Sequence, residues 1–356
     1  MIDHIITGHC LEHLASLKEN SCDCLITDPP YTIRGVDWDR ELPSVSIWKE
    51  CIRVLKPGSF AFVMSCSRQD IAARTIVNLQ DAGFKTAFSP LYWAYASGFT
   101  RATNILETLK KRPAVPPDAG QLQGAYGGFQ PKTAVELVLV AMKGLSKRNF
   151  VEQALANRRG VTWLDQGRIP YADEKDLKDP DRFANSSGGW AVQRFLTPPK
   201  TNPAGRFAPN LLVADDVLNQ GRTRANRGRS FSRYFDLDVW WRKQIESLPS
   251  QVQRAFPFLV VPKPGRKERD AGCEEIMDRD GRKGNLHDAV KPFQLMAYLV
   301  SIGTRPGDLI VDPYAGSGTT CMAAKFLGRH FIGIEKDEYH CRIARARVAR
   351  VPSGDL

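Results

Sequence analysis

The sequence predicts an α/β fold with a mainly parallel sheet, interrupted by an inserted region. Three observations carry that expectation. Short apolar runs alternate with helical spacing at both ends of the chain. The middle follows neither period. Two turns rich in Pro or Gly each directly follow a strand-like run, where open α/β sheets bind their ligands.

Taken in order, residues 4–7 form a strand candidate and residues 10–17 carry helical apolar spacing. Residues 22–27 read as a buried strand ending at Asp28. A helix over 46–55 is closed by Lys56-Pro57-Gly58, and the apolar run 60–65 is the next strand. Residues 69–82 read as a helix stopped by Gly83, 86–95 as a strand and 134–142 as another. Towards the C-terminus, 292–302 is helical, 309–312 a strand, and 319–327 a helix ending at Gly328. Residues 330–335 form a strand and 337–350 a helix whose Arg-rich last turns suit the negative end of its dipole. Between 146 and 262 periodicity is poor and Pro, Gly, Asn and Arg are frequent, with 198–199 and 221–229 reading as loops. The expected organisation is therefore two halves of one domain, 1–145 and 263–356, around an inserted region, 146–262.

Composition narrows the class. Of 356 residues, 42% are hydrophobic and 25% charged, which is ordinary globular usage and excludes disorder and collagen. The longest apolar stretches, such as 60–64 and 137–142, fall far short of the roughly 18 residues of a membrane span. The first residues carry no basic region followed by an apolar run, so no signal peptide is expected. Eight cysteines are scattered without a CxxC pair or zinc-like His spacing, which predicts a reduced compartment, no structural disulfide and no metal site. Net charge is +11, and residues 143–272 hold 24 Lys and Arg against 14 Asp and Glu, or +10. The other 226 residues hold 26 against 25, so a polyanion partner would meet the middle segment, unless that segment is simply a solvated basic face.

The first motif is Asp28-Pro29-Pro30-Tyr31, at the carboxyl end of a strand candidate. Its prolines fix φ and remove two N–H donors, leaving the Asp28 and Pro29 carbonyls outside any helical ladder. A carboxylate, a carbonyl acceptor and an aromatic face then lie within a few residues and suit a planar amine. The competing reading is a Pro-rich turn with a surface Tyr.

The second motif runs Asp312-Pro313-Tyr314-Ala315-Gly316-Ser317-Gly318 and opens a helix directly after a strand. Its glycines let backbone approach a ligand closely. Glu335 lies 19 residues beyond Gly316 at the end of the next strand, where an acid meets ribose hydroxyls in nucleotide-binding α/β folds. Cys321 stands where a dinucleotide fingerprint needs its third Gly, and no Lys follows Gly318 as in a P-loop. A nucleoside without a pyrophosphate fits better.

With both motifs in this order, the chain resembles the beta-class DNA amino-methyltransferases, which use S-adenosylmethionine. The resemblance spans 8–31, Val54-Leu55-Lys56-Pro57-Gly58, 93–99, Gly205-Arg206-Phe207 with Pro209-Asn210-Leu211, Lys267-Glu268-Arg269-Asp270, 287–292 and the two motifs. It implies a Rossmann-like methyltransferase fold with circularly permuted motif order: DPPY first, a DNA-recognition region next, the GxG cofactor loop last. There are three departures. His9 stands where many relatives carry an Asp expected to contact the cofactor adenine. His287-Asp288-Ala289-Val290-Lys291-Pro292 keeps only the His, Lys and Pro of a segment usually written HPTxKP, and Ser59 replaces a common Gly.

The resemblance assigns Asp28, Pro29, Pro30 and Tyr31 to catalysis. It assigns His9, Lys291, Asp312, Pro313, Tyr314, Ala315, Gly316, Ser317, Gly318 and Glu335 to the cofactor. Asp28 and the Pro29 carbonyl would accept the two hydrogens of an exocyclic amine and aim its lone pair at the methyl group, with no metal and no covalent intermediate. The target base would be flipped out of a DNA duplex and stacked on Tyr31. DPPY is associated more often with adenine N6 than with cytosine N4, so adenine is expected and cytosine is the alternative. Duplex contact would fall to Arg222, Arg224, Arg227, Arg229 and Arg233 in the middle region, since Arg suits both phosphates and guanine. A prokaryotic or phage-encoded enzyme acting in the cytoplasm, within restriction-modification, is implied. Homodimerisation and a restriction endonuclease partner stay open, as do two rivals: a catalytically silent DNA-binding protein of this fold, and a nucleotide-dependent oxidoreductase.

Overall fold

A computed structural model of the chain describes residues 2–32, 39–95, 102–129, 131, 133–171, 202–213, 236–246, 266–278, 281–285, 287 and 290–352. The first half runs β1 (His4–Thr7), α1 (Cys10–Ser16), β2 (Cys24–Thr27), α2 (Val45–Val54), β3 (Phe60–Cys66), α3 (Gln69–Asp81), β4 (Leu91–Ala94), α4 (Ile105–Leu109) and β5 (Val135–Met142). Then come α5 (Phe150–Asn157), β6 (Leu211–Val213), α6 (Leu237–Glu246), α7 (Arg266–Asp270), α8 (Phe293–Gly303), β7 (Leu309–Asp312), α9 (Thr319–Phe326), β8 (His330–Glu335) and α10 (Glu338–Ala349).

The strands form one eight-stranded sheet in the order β1-β8-β7-β2-β3-β5-β4-β6. Pairing is parallel from β1 through β3, antiparallel on both sides of β5, and parallel again between β4 and β6. The parallel strands read as continuous apolar runs because both faces are covered. Side chains alternate between the faces: Cys24, Ile26, Phe60, Phe62, Met64 and Ile310 join one core cluster. Leu25, Ala61, Val63 and Val311 join the other. The second cluster takes Leu14 of α1, Trp48 and Cys51 of α2 and Leu79 of α3. The first takes α8, every residue of which is buried, so this helix is apolar all round rather than amphipathic.

Two differences from the sequence expectation have clear causes. The expected strand 86–95 is ordered as β4 only from Leu91, directly after Pro90, which cannot donate to a ladder. The stretch 146–262, where spacing shows no regular elements, supplies α5, β6 and α6. Strand β6 pairs with β4 through Tyr92↔Leu211, Trp93↔Leu212 and Ala94↔Val213. Helix α6 seats Trp240 edge-on against Tyr298 at 5.1 Å and Trp241 against Phe293 at 5.5 Å. Three residues of strand are too few for a period, and the pair of tryptophans finds its partners only through α8. Among the described residues no helix is long and apolar enough to cross a membrane.

Candidate active site

Strands β2 and β7 are neighbours, yet the chain continues from them to opposite sides of the sheet, to β3 and to β8. Their connections therefore diverge and leave a crevice at the carboxyl ends, where such sheets bind ligands. A cleft of about 1540 Å³ opens there. Asp28, Pro29, Pro30 and Tyr31 line it, together with His9, Lys291, Asp312, Pro313, Tyr314, Ala315, Gly316, Ser317 and Glu335. Gly318 is not among the lining residues. It caps α9 at φ 79, and a Cβ there would come within 2.9 Å of the Ala344 Cβ, so its service is to let α9 and α10 approach.

At one end of the cleft Asp28 is held from both sides. Lys291 Nζ donates to Oδ2 at 2.6 Å, and the Tyr31 hydroxyl donates to Oδ1. The same ammonium lies 3.4 Å from Glu136 Oε2 and 5.3 Å from the centre of the Tyr31 ring. Lys291, expected among the cofactor residues, thus has its charged end on the DPPY carboxylate. Burial pulls the Lys291 pKa down, but Asp28 and Glu136 outweigh it and hold the group above its ordinary value, so it is an ammonium. Burial pushes the Asp28 carboxyl up against the pull of Lys291. The Tyr31 phenol is raised by burial and by Asp28, and it stays protonated. After the motif, Asp39 accepts the backbone N–H of Thr32 at 2.8 Å, holding a β-branched residue at φ 59.

At the other end, Asp312 terminates β7 and accepts Thr27 Oγ1–H at 2.7 Å and the Tyr314 N–H at 3.1 Å. The last residue of β2, directly before the first motif, is therefore hydrogen-bonded to the first residue of the second motif at the neighbouring strand end. Burial raises the Asp312 carboxyl to about 6, with its hydrogen bonds opposing. Glu335 closes the loop: Oε2 accepts the Gly316 N–H at 2.9 Å and Oε1 the Asp337 N–H at 2.9 Å. Gly316 sits at φ 51, and a Cβ would come within 3.0 Å of His287 Nε2. Beneath the loop, Arg347 of α10 is fully buried and donates to Ser317 O at 2.6 Å, Ser317 Oγ at 2.8 Å and Thr319 Oγ1 at 3.2 Å. This Arg supports the cofactor-type loop and does not face the helix end.

His9 is the N-cap of α1, its Nδ1 accepting the Leu11 N–H at 3.3 Å while the ring lines the cleft. Arg222, Arg224, Arg227, Arg229 and Arg233 lie outside the described residues. Sequence reasoning missed Glu136, Asp39 and Arg347. Glu136 had a signal, being an acid inside the otherwise apolar run of β5. Asp39 and Arg347 had none, since nothing local separates them from solvated neighbours.

The arrangement is an acceptor site around Asp28 beside a glycine loop backed by an acid, in one cleft. A family model described as DNA methylase matches residues 22–346. The chain is 28% identical over 160 residues to the Type II methyltransferase M2.DpnII of Streptococcus pneumoniae, covering 45% of this chain and 52% of that protein. It is 27% identical over 160 residues to the Type II methyltransferase M2.LlaDCHI of Lactococcus lactis subsp. cremoris, with the same coverage. The chain spans about half the length of these relatives. Among solved structures it is similar to the PvuII DNA methyltransferase, described as cytosine-N4-specific, with a TM-score of 0.46 and 17% identity over 100% of this chain and 90% of that one.

Proposed function

The chain belongs to the N6/N4 DNA methylase family, and we propose that it moves a methyl group from S-adenosylmethionine to the exocyclic N6 of a flipped adenine in duplex DNA. The observation that carries this reading is the Thr27–Asp312 hydrogen bond, which sets the DPPY carboxylate and the glycine loop at adjoining strand ends in one cleft. The residues suit the cofactor. Glu335 ends β8 where ribose hydroxyls would be met, and the two carboxylates Asp28 and Glu136 around the Lys291 ammonium carry a net negative charge that favours a cationic sulfonium. When bound, S-adenosylmethionine supplies an electrophilic methyl group and its leaving group.

The protein's own part is positioning and charge. An exocyclic amine is a weak nucleophile because its lone pair is delocalised into the ring. Asp28 carries two bound donors, but each carboxylate oxygen keeps a second lone pair for an amine N–H. The Pro29 carbonyl would take the other hydrogen, drawing the nitrogen towards a tetrahedral shape. Tyr31 would offer its ring to the flipped base, and the Lys291 ammonium stands 5.3 Å from the ring centre. Residues 146–262 are the proposed recognition region, and Arg222, Arg224, Arg227, Arg229 and Arg233 its duplex contacts. Adenine rather than cytosine rests on the Asp that opens the motif.

The test is incubation of protein and duplex DNA with methyl-labelled cofactor, digestion to nucleosides and identification of the labelled base. Label on adenine N6 is expected, label on cytosine N4 would move the target, and no label would leave a silent DNA-binding protein. Asp28→Ala is expected to abolish transfer with cofactor affinity within a few-fold of the parent. Retention of more than a tenth of the turnover would remove Asp28 from its role.

A further inference from the structure

Glu136 is the acid that the amine-acceptor reading leaves without work. Its place is fixed by sheet register: β5 sets it opposite Cys66 of β3 on one side and Trp93 of β4 on the other. Antiparallel β5 thereby presents its first residues at the edge where β2 and β3 end. Glu136 Oε1 accepts the Tyr95 hydroxyl at 3.2 Å. Its Oε2 is shut off from solvent, accepts no hydrogen bond among the described residues, and faces Lys291 Nζ at 3.4 Å.

The need for such a group follows from Lys291. In the proposed transfer the N–CH3 bond would form as the S–CH3 bond breaks, so positive charge would pass to the amine nitrogen that Asp28 holds until one of its protons is lost to solvent. An ammonium 2.6 Å from that carboxylate cancels its charge at the point where it is required. A second carboxylate 3.4 Å from the ammonium restores the balance, so that two acids and one base leave one negative charge at the amine site. Side-chain exposures of 10% for Lys291, 18% for Asp28 and 17% for Glu136 mean that water does little of this screening.

We propose that Glu136 is a positioning residue for methyl transfer, neutralising Lys291 so that the charge of Asp28 is left for the target amine. The inference rests on the reading of Asp28 given above. It makes the effect of Glu136 conditional on Lys291, which a merely structural acid would not be.

The experiment is single-turnover transfer of tritiated methyl from S-adenosylmethionine to unmodified bacterial genomic DNA amplified in vitro. The parent is compared with E136Q, K291M and K291M/E136Q, and calorimetric cofactor affinity is read for each. E136Q is expected to be about 30-fold slower with cofactor affinity within about two-fold of the parent. The double variant is expected to be no slower than K291M, because without the ammonium there is nothing for Glu136 to balance. A loss under about three-fold in E136Q, or a further loss beyond about three-fold in the double variant relative to K291M, overturns the inference. Should E136Q lose cofactor binding and hence its fold, the comparison of K291M with the double variant decides alone by the same criterion. If Asp28→Ala is inactive while E136Q transfers at the parental rate, this inference alone fails. If Asp28→Ala stays active, the reading beneath it fails.

Discussion

Replacing Glu335 by Ala separates two services that one carboxylate would perform. In the structure its oxygens accept the N–H groups of Gly316 and Asp337, each at 2.9 Å, so it braces the glycine loop against the start of α10. In the proposed complex it would also meet the ribose hydroxyls. A hydrogen bond to a charged group contributes about 1.5 to 3 kcal/mol. Gly316 is a half-buried residue of the cleft lining, so removal of the carboxylate lets water reach its N–H and most of the loss should fall on the ligand. Glu335→Ala is therefore expected to weaken S-adenosylmethionine binding by about 1.5 to 3 kcal/mol, or roughly ten- to 150-fold in Kd. Isothermal calorimetry reads this directly, and duplex binding measured without cofactor should be unchanged. A cofactor analogue lacking both ribose hydroxyls divides the services: a penalty that vanishes with the analogue belongs to the ribose, and one that persists belongs to the loop. Parental affinity in the variant would refute the assignment of Glu335 to the site altogether.

Two further outcomes follow from the charges. If Arg222, Arg224, Arg227 and Arg229 meet phosphates, replacing all four by Gln should weaken duplex binding and make the slope of log K against log salt shallower by about 0.9 per lost contact. If they read bases, single replacements should cost about 1 to 3 kcal/mol on target DNA only, whereas parental affinity and slope would make the run a solvated loop. Burial raises Asp312 from 3.8 to about 6, so the folded chain keeps a proton that the unfolded chain has already released. Its contribution to stability is full below about pH 4 and is lost as pH rises through about 6, by up to about 3 kcal/mol. Asp312→Asn should flatten that interval in urea unfolding measured from pH 4 to 7.5, and identical pH slopes in parent and variant would refute the assignment.

Much of the sheet was legible because parallel strands buried on both faces leave unbroken apolar runs, as in β3 and β8. What could not be read depends on partners distant in sequence. Strand β6 is three residues whose pairing exists only because β4 offers an edge. Helix α6 is placed by Trp240 and Trp241 against Tyr298 and Phe293 of α8, more than fifty residues away along the chain. The same holds in the cleft. Asp28 and Glu335 could be named because a Pro- or Gly-rich turn after a strand has a local pattern, whereas Arg347 reads like any Arg of a helix end until α10 carries it under Ser317.

His9 shows how a departure from a family pattern can be weighed on local physics. An Asp before α1 would accept a first-turn N–H as an N-cap, and His9 does so through Nδ1, receiving the Leu11 N–H at 3.3 Å. The exchange of Asp for His therefore keeps the helix capped and changes what the cleft is offered: a carboxylate acceptor is replaced by an imidazole edge. If the proposed cofactor binds here, its adenine amine would meet an imidazole in place of a carboxylate, and His9 would contribute by stacking or through a ring nitrogen. The first turn of α1 therefore keeps a capping acceptor, and under the proposed function the change would fall on the contact at the adenine end of the cofactor.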